Sequence, residues 1–224
     1  MTSASLRPLS RWRTALGAAV LVLASAVLQA LAAVERWVVA ADGWTRDDRT
    51  VEDHLFDYAF PADPWENVGA AAQLYGIGTV LLALGVLATG RAFTPPGRVG
   101  GLLVILVAAS FGLLGLHALV SGVIDAPSPL QNVGVQLVLG LASAVALVAL
   151  ALIWATVSWA AAVAGVLLLG ATLPGYLVAA FAIAPMVTGY QSYDTTPWTE
   201  AVVAASTAAA GLLLLVAAGA RAVR

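Results

Sequence analysis

The sequence predicts an all-α integral membrane protein, a single transmembrane domain built as a bundle of six helices with both N- and C-termini on the cytoplasmic side. Three observations carry that expectation. Hydrophobic residues fill 61% of the 224 positions and charged residues only 10%, whereas an ordinary soluble domain is about a quarter charged. The apolar residues lie in runs long enough for a bilayer core about 30 Å thick, which takes about 20 helical residues to cross. With six spans, Arg91, Arg98, Arg221 and Arg224 all fall on the same side as Arg7, Arg11 and Arg13, which the positive-inside tendency makes the cytoplasmic side. The length leaves room for five to seven spans and for no separate soluble domain.

The first span is expected over about 14–34, after the N-terminal arginines and before Glu35 and Arg36. The same stretch resembles a secretory signal peptide, with small residues at Ala30 and Ala32, although its apolar run is longer than a usual signal core. A second span over about 67–89 ends near Arg91, and Pro95-Pro96-Gly97 marks a tight turn before a third over about 100–124. From Leu130 to Tyr193 there is no charged residue. That stretch reads either as two spans, about 132–153 and 159–181, or as three minimal ones; three would put Arg221 and Arg224 outside, so two are preferred. The last span is about 200–220. Trp12, Trp154 and Trp159 then sit near the inner boundary and Trp37, Trp44, Trp65 and Trp198 near the outer one, as an aromatic belt requires.

Each outer connection ends alike, in Asp63-Pro64-Trp65-Glu66, Ser128-Pro129-Leu130-Gln131 and Thr196-Pro197-Trp198-Thr199. Each reads as an N-cap with proline at the first helical position, and Glu66 and Gln131 occupy the capping-box position. Asn67-Val68-Gly69 and Asn132-Val133-Gly134 add a recurrence at a spacing of 65 residues. Three similar helical hairpins are one interpretation; shared helix-start chemistry is the plainer one.

The segment 42–66 holds eight acidic residues against Arg46 and Arg49. Within it, Thr50 to Phe60 reads as a short capped helix with Phe56, Tyr58 and Phe60 resting on the spans. Asp47, Asp48, Glu52, Asp53 and Asp57 supply oxygen ligands suited to a hard divalent cation, but their spacing matches no EF-hand loop. A solvated acidic face is the plainer interpretation.

In the third span Ser110, His117 and Ser121 share a helical face, and Asn132, Gln136 and Ser143 do so in the fourth. His117 and Gln136 fall at similar depth, roughly 10 Å below the outer surface. An ionisable residue inside a membrane is a functional hypothesis by default, so His117, Ser121, Asn132 and Gln136 form the candidate ligand-binding set. The plainer alternative is an interhelical hydrogen bond between His117 and Gln136, with Ser121 bonded back to its own helix. Ser110 is about 10 Å from His117 along the axis, too far for a hydrolase pair. In the fifth span Pro174-Gly175 and Pro185 predict a kink or a broken helix.

Composition removes whole classes of chemistry. With no cysteine there is no thiol redox centre or thiolate metal site. All ten basic residues are arginine, so neither a Schiff-base lysine nor a P-loop lysine exists. Two histidines, His54 and His117, are too few for a histidine-ligated haem pair or a three-histidine metal centre within one chain. No cofactor and no nucleic-acid partner are expected; the partners expected are the lipid bilayer and a membrane protein or a second copy of the chain. Exclusive use of arginine amid abundant alanine suggests GC-rich coding, and the location expected is a bacterial cytoplasmic membrane.

The resulting functional expectation is a non-catalytic binding, sensing or accessory membrane component with a polar site on the outer side. A small-molecule or lipid transporter, or a permease subunit, is the alternative. Uncharged inner turns such as Ala155 to Ser158 argue against docking of an ATPase, and no pair among the loop acids marks a catalytic centre.

Overall fold

The computed structural model describes residues 6–41, 52–192 and 194–222, with side chains from residue 11 onward. These residues contain helices and no strand. Helix α1 (Leu6–Val34) runs without interruption into a π-helical turn, Glu35–Val39. Helices α2 (Ala71–Phe93), α3 (Arg98–Ile124) and α4 (Val133–Ala155) follow. Helix α5 (Trp159–Leu167) passes into a 3₁₀ turn, Leu168–Ala171. Beyond Thr172 the chain resumes as α6 (Leu173–Val178), a π-helical stretch Ala179–Ile183 and α7 (Ala184–Thr188). Helix α8 (Thr199–Ala222) closes the fold.

Five of these segments are long and apolar enough to cross a membrane, and the pair 159–171 and 173–188, bent by 70° at Thr172, makes a sixth if it counts as one span. The break falls where Thr172 precedes Leu173-Pro174. A proline lacks the N–H that would continue the α5 ladder, and Thr172 takes an extended backbone. Instead its hydroxyl donates to the carbonyl of Leu169 at 2.6 Å.

Consecutive helices pack side by side, α1 on α2, α2 on α3, α3 on α4 and α4 on α5, and the ring closes through α5 on α8 and α8 on α1. Its centre is filled by Val22, Leu82, Val107, Phe111, Leu147 and Leu214. Large apolar side chains also cover its outside, with Leu102 66% and Val145 72% exposed. Water would penalise such a surface and hydrocarbon would not.

The helices begin later than the cap-proline signature predicts. Asp63-Pro64, Ser128-Pro129 and Thr196-Pro197 lie in turns, and α2, α4 and α8 start at Ala71, Val133 and Thr199. Asn132, not Ser128, is the N-cap of α4, accepting from Val135 N–H at 3.0 Å. Ser128 instead folds a turn, its carbonyl accepting from Gln131 N–H at 2.9 Å. Of the short helix expected over 50–60, residues 50 and 51 lie outside the described residues, Glu52 is helical, and beyond it the chain makes one 3₁₀ turn, His54–Phe56, capped by Asp53.

The up-and-down order sorts charge by end. Every acidic side chain among the described residues, from Glu35 through Asp125 to Glu200, lies at the end where α1 finishes and α2 starts, hereafter the acidic end. Arg36 shares it. Arg11, Arg13, Arg91, Arg98 and Arg221 lie at the opposite, arginine end.

Candidate functional site

At the acidic end the π-helical turn after α1 carries Arg36 inward, where it is fully buried. One terminal nitrogen, Nη1, donates to Asp57 Oδ1 at 2.7 Å and to Glu200 Oε1 at 2.9 Å. The other donates to the carbonyl of Asp53 at 3.3 Å. The second oxygen of Glu200 accepts from the Trp37 indole N–H at 2.8 Å, and the Arg36 guanidinium lies 4.5 Å from the centre of the Trp37 ring. Asp57 also accepts from the Thr195 hydroxyl at 2.8 Å. Three distant stretches, the end of α1, the loop at 53–57 and the start of α8, therefore converge on one guanidinium.

Removing charge from water costs several kcal/mol per ion, which only close partners can offset. Here one cation faces two carboxylates, a formal excess of one negative charge. Burial pushes the Asp57 carboxyl up to about 6, against the downward pull of Arg36 and the Thr195 hydroxyl. Aromatic residues surround the cluster: Tyr58 meets Tyr75 edge-on at 5.6 Å, and Phe60 meets Tyr176 at 5.2 Å. The buried hydroxyls of Tyr58 and Tyr176 have no hydrogen-bond partner among the described residues. Burial and the nearby charge of Glu200 push the Tyr58 phenol well above its ordinary range, so it remains a donor.

Further contacts sew the loop to the segment before α8. Tyr190 donates its hydroxyl to Glu52, and Thr195 N–H donates to the Glu52 carbonyl at 2.9 Å. Asp194 accepts from His54 N–H at 2.8 Å and lies 3.1 Å from the ring Nδ1. That bond raises the His54 pKa above its ordinary value of 6.5.

Of the residues expected to bind a ligand, His117 and Ser121 come together and Asn132 and Gln136 do not join them. His117 is fully buried. Its Nε2 lies 2.8 Å from the Pro61 carbonyl and its Nδ1 2.7 Å from Ser128 Oγ. A carbonyl only accepts, so Nε2 carries the proton and Nδ1 of the neutral ring accepts from Ser128. Ser121 Oγ accepts from Ser128 N–H at 2.9 Å, instead of bonding to its own helix. The expected His117–Gln136 bond is absent because loop groups already occupy both ring nitrogens. Gln136 Nε2 has no partner among the described residues and borders, with Ser110, Ser143 and Phe60, a cavity of about 30 Å³. Asn132 is exposed and serves as a helix cap.

The expected cation ligands are likewise dispersed. Asp47 and Asp48 lie outside the described residues. Glu52 is bonded to Tyr190 and Asp57 to Arg36. Asp53 instead joins His54 and Asp194, with donor atoms within 4.8 Å of one another. One imidazole nitrogen and two carboxylates are a donor set that a borderline divalent cation accepts. Arg36, Glu200 and Asp194 are missing from the sequence-derived sites. The sequence signal for the pair is an arginine abutting one apolar run and a glutamate inside the first turn of another. No protein-family model, curated protein or solved structure matches this chain.

Proposed function

We propose that this chain is a non-catalytic, multi-pass membrane component that binds or senses a partner or small molecule at its acidic end. The acidic end faces outward, the arginine end faces the cytoplasm, and the bent pair serves as the sixth span, in a bacterial cytoplasmic membrane. The observation that supports this reading is the burial of Arg36 between a loop carboxylate, Asp57, and a helix carboxylate, Glu200. A ligand that moved the loop would have to disturb this cluster, and so would reach α1 and α8 together. Both carboxylates serve one guanidinium, an arrangement suited to holding elements and transmitting displacement.

The test is purification from the native membrane in nanodiscs, with mass spectrometry and chemical cross-linking of whatever accompanies the chain. The expected result is a molecule or protein whose cross-links fall on 52–66 and 190–200. Solute flux in proteoliposomes, or stoichiometric recovery of an ATPase, would replace this reading with that of a transporter. One observation favours that second reading: the break at Thr172 opens beside a groove of about 480 Å³ bordered by Pro174, Gly175 and Ser206. Broken helices line substrate paths in many transporters.

A further inference from the structure

Phe60 follows closely on Asp57 in the loop and reaches between α3 and α4. There it borders, with Ser110, Gln136, Ser143, Thr172 and apolar side chains, a cavity of about 30 Å³. We propose that this cavity is the binding site of a small uncharged solute carrying a hydroxyl or a primary amide, and that Phe60 is its stopper. The proposal rests on the reading of the acidic end as the binding end and names the class of ligand.

The polar groups define that class. The Gln136 Nε2 atom is buried and has no hydrogen-bond partner among the described residues. A buried amide donor without an acceptor is costly, and hydrocarbon around the bundle supplies none. The Ser143 hydroxyl donates to the Gly140 carbonyl at 2.9 Å, and the Thr172 hydroxyl to that of Leu169 at 2.6 Å. Both oxygens therefore offer a ligand lone pairs and no proton. One amide donor beside hydroxyl acceptors complements a group that both accepts and donates, as an alcohol or a primary amide does. An ether or a ketone would satisfy the donor only. No Asp, Glu, Arg or His stands among the described residues that line the cavity, so an ion would give up its hydration with no countercharge in return.

Size and anchoring assign Phe60 its part. A space of about 30 Å³ accommodates one water-sized group, so anything larger enters only when the ring withdraws. Phe60 is half-buried, and its ring meets Tyr176 edge-on at 5.2 Å. On one side of it Asp57 is held by Arg36 and Thr195, and on the other the Pro61 carbonyl accepts from His117. The loop is thus pinned on both sides of the stopper, to the buried guanidinium and to α3. Withdrawal of Phe60 pulls on both anchors, which links occupancy of the cavity to the cluster that joins α1 and α8.

Equilibrium dialysis of the full chain in nanodiscs against radiolabelled acetamide, corrected for lipid-only discs, tests this, with acetate as a charged probe of similar shape. Phe60→Ala should bind acetamide about tenfold more tightly than the chain with Phe60, because the probe no longer has to displace the ring. Phe60→Leu, a milder change, should fall between the two and serves where Phe60→Ala does not fold. Adding Gln136→Leu to either variant should weaken acetamide about tenfold, the share of one buried hydrogen bond. Acetate should bind to none of them. Equal affinity with and without Phe60, equal affinity with and without Gln136, acetate bound as well as acetamide, or no acetamide bound by any variant would overturn the assignment. Any of these results with cross-links still falling on 52–66 and 190–200 would remove this site alone and leave the acidic end as the binding end.

Discussion

Arg36 is the residue on which the acidic end turns, because its charge is fully buried and each of its carboxylate partners comes from a different element. Glu200→Ala removes one of the two carboxylates that Arg36 meets among the described residues and strips the Trp37 indole of its acceptor. Breaking a buried pair from one side costs about 3–5 kcal/mol, so the variant should melt at a markedly lower temperature in detergent. Replacing the cation with both carboxylates, Arg36→Met with Glu200→Met and Asp57→Asn, should recover part of that loss, since none of these three charges is then left buried without its partner. A triple variant as unstable as the sum of its single changes would show that the three residues do not act as a unit. His54 offers a second test at this scale. Its pKa is raised by the hydrogen bond to Asp194, so the protonated ring is favoured in the folded loop. The stability this contributes is fully present below about pH 6.5 and is lost as pH rises through the raised folded value. Titration of the His54 ring by NMR should give a midpoint above that of His54 in the unfolded chain, and Asp194→Asn should bring it back.

Among the elements, α2 and α3 approach most closely where Gly76 faces Gly115. A Cβ on Gly115 would lie 2.8 Å from the Gly76 carbonyl and from Val80 N, and one on Gly76 would fall onto the Leu119 backbone. Backbone atoms cannot swing aside as a side chain would, so Gly115→Ala forces the helices apart. Overpacking of this sort costs roughly 1–3 kcal/mol, measurable as a lowered unfolding midpoint, whereas Gly101→Ala, with open space around it, should be neutral. The sequence showed abundant small residues in both helices but could not single out this pair, because contact depends on how two helices rotate against each other. The broken segment was better legible. Pro174 and Pro185 interrupt an apolar run by removing ladder donors, a local effect that a sequence records. The direction of the break and its 70° bend follow from packing against α4 and α8.

For the whole molecule, the proposed topology has a direct measurement, helped by the absence of native cysteine. Single cysteines at Pro96 and Ser158 should be labelled by an impermeant maleimide only after the membrane is opened. Cysteines at Ala126 and Gln191 should be labelled on intact spheroplasts. Labelling of 158 and 191 from the same side would show that the bent pair does not cross and that the chain has five spans.

Hydropathy, the positions of the helical runs, the break at the prolines and the sorting of arginine from acid were already determined by the sequence, since each depends on residues near one another along the chain. Helix starts differ from the expected ones where turns of the Ser128-Pro129 type resemble helix caps. Capping chemistry and turn chemistry use the same side chains, and only the backbone path separates them. The pairings were beyond its reach. Arg36 and Glu200 stand 164 residues apart and meet because α8 closes the ring against α1. His117 turned from Gln136 to Ser128 and Pro61 because a loop entered the bundle where a helix face was expected. Solvent and bilayer select helices one segment at a time, whereas a buried charge selects its partner only once the whole ring exists.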